Sequence, residues 1–433
     1  MSELRIERDS IGEVCLPTMG LYGINTHRAS VNFPLSLRPI STRPDFIHAL
    51  AAVKQAAAKA NLDAGGLRQD QAEAITQACE EIRAGRHAEF FVVDILEGSG
   101  GTSTNMNLNE VIANICALNA ALPLGEYAFV HPNDHVNLSQ STNDVIPTGM
   151  KLAVYRAMAE AVEKLQFLAT ALRQKSDQFA TTLRLGRTCL QDAQPMTLGQ
   201  AFGGYASVVE RHADQLDALR RQLLTVPLGG TAIGTGFGAR PGYKAAVFEH
   251  LSQLVGAVVE PAADPFDGMQ NMDLCARLSA ELRNAGNTLW KIASDLTILS
   301  SGPAGGLAEI TLPSVQAGSS IMPGKVNPVI PMAVCQVAFA ITGNDAAVAM
   351  ACQQGMLEIN HFELLVCDRL LDSIELLSRA AHIFAERCVS GLVSNDAVGL
   401  APISPDTQAV AVSAAMNSRG ERIFSPECGW FSL

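Results

Sequence analysis

Charge is scarce in this chain. Lys, Arg, Asp and Glu make up 17% of its 433 residues, against about 25% for an average soluble protein, while 48% are hydrophobic. A chain this apolar predicts buried surface beyond its own core, and we read the excess as subunit interface in a homo-oligomer. Positive charge is in deficit: 31 Lys and Arg face 43 Asp and Glu, for a net charge of -12. That balance argues against a nucleic-acid partner. It leaves a small anionic substrate open, because local cations decide that. The ten cysteines, at positions 15, 79, 116, 189, 275, 335, 352, 367, 388 and 428, form no Cys-x-x-Cys pair and no metal-type spacing. Most lie in apolar helical context, where Cys acts as a small hydrophobe, and this predicts a reducing, cytoplasmic setting. The charged start (Glu3, Arg5, Glu7, Arg8, Asp9) predicts no signal peptide. The longest uncharged run, Val326 to Asn344, holds two Pro, two Asn and a Gln. It reads as a buried helix rather than a membrane span.

What is abundant is helical periodicity. The length suffices for a large core and two or three domains. An Ala-rich stretch from Pro44-Asp45 to Asn61 predicts one helix, with Pro favoured in its first turn. Gln69 to Ala84 predicts a second, after a break at Gly65-Gly66. Helix starts are read near Asn107 and Pro147. Beyond these, Leu152, Tyr155, Met158, Val162, Leu165, Leu168 and Leu172 recur at spacings of three and four. So do Leu274 to Leu299 and Val366 to Cys388. These are apolar stripes of α-helices in a bundle. Met269 to Ser300 as one helix would be about 48 Å long. No run of alternating strands offers a sheet-based core.

Between the helices lie loops rich in polar groups. Ala317-Gly318-Ser319-Ser320-Ile321-Met322-Pro323-Gly324-Lys325-Val326-Asn327-Pro328 combines a cation, an amide and two hydroxyls on a backbone that Gly and Pro keep out of helix. It suits a small anion. A phosphate-cradling P-loop fits less well, because five residues separate the Gly positions and Val326 follows the Lys. A purely structural loop needs no Ser-Ser, Lys and Asn together. Glu97-Gly98-Ser99-Gly100-Gly101-Thr102-Ser103-Thr104-Asn105-Met106-Asn107 puts three Gly before hydroxyl and amide residues at a helix start. Free N–H groups there attract anions, although ordinary helix capping explains such a loop as well. His131-Pro132-Asn133-Asp134-His135 lacks zincin spacing and has no supporting ligand cluster, so no metal is assigned. Ser139-Gln140-Ser141-Thr142-Asn143-Asp144 offers hydroxyls for a helix cap or a carboxylate. Pro227 to Gly236 nearly spells a dinucleotide fingerprint, but Ala239 falls where the third Gly is needed and no strand precedes it. No cofactor is assigned. Gly186 to Ala193 reads as a further polar loop.

Three of these segments carry a resemblance. Gly318 to Pro328 matches every specified position of G-S-S-x-M-P-x-K-x-N-P, and Gly101 to Asn107 matches G-T-x-x-N-M-N. The chain thereby resembles the aspartase/fumarase superfamily from about residue 9 to 395, with the motifs in order. Ser141-Thr142-Asn143 is similar to the form that aspartases tend to show, where fumarases have S-S-N. The resemblance implies an all-α, three-part fold with a central bundle of long helices and a shortened C-terminal domain. Its parts would be a mostly helical domain over residues 1–143, the bundle over 144–395, and a short tail over 396–433 in place of the usual small domain. It implies a homotetramer with active sites shared between subunits and no membrane or nucleic-acid partner.

The implied reaction is elimination of ammonia from L-aspartate, or a closely related N-modified aspartate, to give fumarate. By resemblance Ser319 is the general base. Lys325 and Asn327 bind the carboxylate beside the leaving group, while Thr102, Ser141, Thr142 and Ser320 hold the carboxylate that becomes the aci-form. Asn143 and Thr188 face the leaving group, and the Ser319 loop is a lid. Concentrated donors around developing negative charge follow the logic of an oxyanion hole. An unperturbed Ser hydroxyl is a poor base near neutral pH, so the site must stabilise its alkoxide. Two positions depart from the pattern. Cys189 stands where the family has His or Gln, and Met332 where it usually has Glu. Losing the pair that serves a leaving hydroxyl weighs against a fumarase-like hydratase. The same changes motivate the alternative of a catalytically silent structural homologue. In Glu358-Ile359-Asn360-His361-Phe362, which departs from the L-N-V-M run, His361 is read as structural or as a replacement polar contact.

Overall fold

Helix α2 (Pro44–Asp63) shows why this sequence packs as it does. Its Ala residues 49, 51, 52, 56, 57, 58 and 60 are buried almost without exception. Small side chains let neighbours approach closely, and α2 packs against α3 (Gln69–Arg83) and α7 (Tyr243–Val255). A Cβ at Gly149 would lie 2.3 Å from Leu50, so only Gly fits where that backbone meets α2. The computed structural model describes residues 4–322 and 324–403. Pro323, Cys428 and nearly all of the expected tail, residues 404–433, lie outside them.

In chain order, a hairpin of β1 (Leu4–Asp9) and β2 (Gly12–Pro17) precedes α1 (Ile24–Asn32), α2 and α3. Then come α4 (Thr102–Asn119) and α5 (Thr142–Gln178). A second antiparallel hairpin, β3 (Leu183–Thr188) with β4 (Gln191–Thr197), leads into α6 (Leu198–Gln222). After α7 follow α8 (Pro265–Gln270), α9 (Asp273–Leu299), α10 (Val329–Gln353), α11 (Glu363–Phe384) and α12 (Asp396–Leu400). The described residues hold only two-stranded sheets, so the fold is all-α, as the stripes predict. Their members are buried: Leu165, Leu168 and Leu172, then Leu278, Leu282, Leu289 and Leu296, then Leu370, Leu377 and Phe384.

Several boundaries differ from the sequence reading. Helix α4 begins at Thr102 rather than Asn107, because Gly101 at φ +86 turns the chain and the hydroxyl residues enter the helix. Helix α5 begins at Thr142 and carries Pro147 inside it. The stretch from Met269 to Ser300 is two helices: Asn271 is extended, and it ends α8 before Asp273 opens α9. Gly186 to Ala193 forms most of a hairpin instead of a loop. The uncharged run becomes α10, but it is not wholly buried. Met332, Phe339 and Met350 lie on one face of it and are 52%, 54% and 69% exposed.

The chain divides into two compact units. Among the described residues, one comprises those up to Glu160, Leu216–Ala280 and Gly343–Glu375; the other comprises Ala161–Gln215, Glu281–Thr342 and those from Leu376 onward. In the first, Glu110 of α4 fixes the amino-terminal segment. Its buried carboxylate accepts the N–H groups of Gly23, Asn25 and Thr26 and the Thr26 hydroxyl at 2.6–3.1 Å. In the second, Arg184 and Arg187 of β3 both donate to the buried Glu309, at 2.7 and 2.5 Å.

Candidate active site

In the first unit the candidates gather at two helix starts. Ser141 caps α5: its Oγ accepts the Asn143 N–H at 3.2 Å, and Asp144 returns the bond by accepting the Ser141 N–H at 2.9 Å. This is a capping box with Asp in the returning position. The other oxygen of Asp144 accepts the N–H groups of Gly229 and Thr231, both at 3.0 Å. Asn143 donates to the Ala232 carbonyl at 2.8 Å. The Gly-rich segment that nearly spells a nucleotide fingerprint is thus tied to Asp144 through its own N–H groups. Thr102 opens α4 and is exposed. A Cβ on Gly101 would stand 2.8 Å from Ile146, so the bare backbone lets the α4 start close on α5. Burial of Asp144 pushes its carboxyl up, against the three N–H groups and the charge of Lys54.

Behind these starts lies a buried polar chain that sequence reasoning missed. Lys54 of α2 is fully buried and donates to Asn137 Oδ1 at 2.8 Å. Asn105 Nδ2 donates to that same oxygen and to Thr142 Oγ1, each at 3.1 Å. Burial pushes the Lys54 ammonium down to about 7, opposed by Asp144. One signal was available: Lys54 is a lone charge in the run Ala51-Ala52-Val53-Lys54-Gln55-Ala56-Ala57-Ala58. A buried Lys needs a partner and a reason.

The second unit holds the remaining candidates. Thr188 ends β3, and Cys189 and Leu190 form the two-residue tip, at φ +53 and +63. A two-residue hairpin turn with both residues at positive φ favours Asn-Gly; here two L side chains are held there, and all three residues are exposed. Ser319, Ser320, Lys325 and Asn327 share one loop, which closes on itself where the Ser319 N–H donates to the Lys325 carbonyl at 3.3 Å. A Cβ on Gly318 would lie 1.4 Å from that carbonyl oxygen, and Gly324 takes φ +83. Ser319 Oγ accepts the Ile321 N–H at 3.2 Å. Ser319 is half-buried; Ser320, Lys325 and Asn327 are exposed. Among the described residues no hydrogen bond joins the hairpin tip to this loop. Each unit therefore gathers its own candidates: Thr102 with Ser141, Thr142 and Asn143 in one, the Ser319 loop and the Thr188–Cys189 tip in the other. Among the described residues no group of three or more His, Cys, Asp or Glu side chains is arranged to hold a metal ion.

An all-α fold with polar loops at helix starts defines a class that the comparisons make specific. A protein-family description, that of a lyase, matches residues 12–343. The aspartate ammonia-lyase of Pseudomonas aeruginosa is 47% identical over 392 residues, 90% of this chain and 83% of its own length. That of Helicobacter pylori is 42% identical over 91% of this chain and 84% of its own. Among solved structures, a fumarate lyase:delta crystallin from Brucella melitensis bound to cobalt superposes with a TM-score of 0.90 at 41% identity, covering 96% of this chain and 94% of that one. A class II fumarase from Schistosoma mansoni superposes at 0.88 with 32% identity, covering 96% and 93%. The chain belongs to this lyase family, the aspartase/fumarase superfamily.

Proposed function

We propose that the chain eliminates ammonia from L-aspartate, or from a closely related N-modified aspartate, to give fumarate. The observation that carries this reading is the Ser319 loop, whose Ile321 N–H aimed at Ser319 Oγ suits a serine that must hold negative charge. Its 47% identity to an aspartate ammonia-lyase supports the same reading. Ser319 removes the proton next to one carboxylate. That carboxylate becomes the aci-dianion, held by Thr102, Ser141, Thr142 and Ser320. Lys325 serves as a point charge for the other carboxylate, with Asn327 beside it. Asn143 and Thr188 face the substrate's ammonium group, which departs with the C–N electron pair as neutral ammonia. The amino group is protonated before the bond breaks, so Cys189, a weak hydrogen-bonding group, and Met332 suffice where a departing hydroxide would need an acid. This disfavours water elimination.

The exposed apolar face of α10 supports a homotetramer in which sites draw loops from different subunits. Trp290 is also exposed and meets Phe339 edge-on with ring centroids 5.2 Å apart, extending that apolar surface. A cytoplasmic location belongs to the same reading. The test is fumarate absorbance with L-aspartate, N-substituted aspartates and malate, alongside sedimentation. Turnover with malate alone, or a monomer at micromolar concentration, overturns it.

A further inference from the structure

The chain from Lys54 to Thr142 has a direction. Lys54 meets Asn137 as a donor at 2.8 Å, and in its ammonium form it can be nothing else, so Asn137 turns its oxygen to it. The Asn137 nitrogen then faces the Gln140 carbonyl at 3.4 Å, an acceptor, as that orientation requires. With an oxygen in front of it, Asn105 must present its Nδ2, and so must Asn109, at 3.1 and 3.4 Å. The same Nδ2 of Asn105 reaches Thr142 Oγ1 at 3.1 Å. Asn105 Oδ1 is buried and has no partner among the described residues. Its orientation is therefore dictated from the Lys54 side, not by a bond to its own oxygen. Thr142 is then the acceptor in its bond with Asn105, and its hydroxyl proton is left to point away from the buried chain. Thr142 itself is half-buried, at the mouth of the α5 start.

We propose that Lys54 is a positioning residue that acts through Asn137 and Asn105 to make Thr142 a hydrogen-bond donor to the substrate carboxylate. This rests on the reading that Thr142 binds that carboxylate. Lys54 itself never touches substrate. It sets which way two amides face, and so removes the state in which the Thr142 hydroxyl donates inward. A purely structural lysine would hold the helices together and leave the proton of Thr142 indifferent.

A double-mutant cycle on KM for L-aspartate and on inhibition by succinate separates the two. Lys54→Met is expected to raise KM and the succinate inhibition constant about tenfold or more, the scale of one hydrogen bond to a charged group, with a smaller change in kcat. In a Thr142→Ala background the same substitution should have no further effect. Asn137→Asp keeps the acceptor oxygen and should hold KM within about threefold of wild type, while Asn137→Leu should behave like Lys54→Met. These two variants decide the matter if Lys54→Met does not fold. Additive effects of Lys54→Met and Thr142→Ala, or an unchanged KM in Asn137→Leu, overturn the inference and leave the carboxylate role of Thr142 standing. An unchanged KM in Thr142→Ala overturns both.

Discussion

The two sets of candidate residues are held in opposite ways. At the α5 start, Ser141, Thr142 and Asn143 are tied to distant segments: Asp144 binds the 229–231 backbone, and Asn105, Asn137 and Lys54 stand behind Thr142. In the other unit, the Ser319 loop binds chiefly itself, through Ser319 to Lys325 and Ile321 to Ser319. One set is fixed by burial before any ligand arrives. The other is fixed by short local bonds at an exposed surface, the arrangement of a segment that can order around a ligand. The proposed elimination would use both: a rigid receptor to orient the substrate and a loop that rearranges to exclude water from the carbanion.

The sharpest way to break this contrast is at the proposed base. Ser319→Ala should lower fumarate formation from L-aspartate by about a thousandfold or more, given the usual 10²–10⁴ for a positioned base, while thermal unfolding stays put. Persisting turnover would remove Ser319 from the chemistry. Next, Gly318→Ala places a Cβ against the Lys325 carbonyl. It should cost about ten- to a hundredfold in kcat/KM by preventing loop closure, again with an unchanged melting temperature. A fall in melting temperature instead would mean that the loop is part of the core. The opposite result is expected for Asp144→Asn. Losing a buried carboxylate that accepts three N–H groups should destabilise the protein by about 2 kcal/mol in urea unfolding. KM should rise as the Ser141–Asn143 segment loosens.

The smallest effect lies in pH. Burial depresses the Lys54 ammonium from 10.5 to about 7, so between those values the unfolded chain binds a proton that the folded chain does not. Stability contributed by this group therefore rises as pH rises through that window. Asp144, pushed up from 3.8 to about 6, titrates below it. Urea unfolding of wild type and Lys54→Met at pH 7 and pH 9 checks the sign. The wild type should gain more stability on going to the higher pH, and equal slopes would mean that Lys54 is not buried as an amine.

How much of this was readable beforehand follows from distance along the chain. The stripes of α5, α9 and α11 are repeats within one segment, so periodicity exposed them, and the loop motifs were contiguous. The β3–β4 hairpin was not readable. Its strands carry Gly186 and Pro195, both poor strand formers, and its tip is Cys189-Leu190, with none of the turn residues that announce a hairpin. The start of α5 was misplaced because Pro147 resembles a first-turn proline, although a local signal stood six positions earlier, where Ser141 and Asp144 have capping-box spacing. The Lys54 chain joins four segments, and only the fold brings its members together.

Glu110 adds a consequence for how the molecule is made. Its carboxylate secures Gly23, Asn25 and Thr26, partners 84 to 87 residues upstream. Synthesis runs from the amino terminus, so the ribosome releases the segment around Gly23 long before the carboxylate that will hold it. That segment emerges without its anchor, and the anchor arrives as a charge that cannot be buried until three backbone donors surround it. Docking the opening of the chain and burying Glu110 are then one event, and a nascent chain halted before α4 would leave its first helix accessible to proteases.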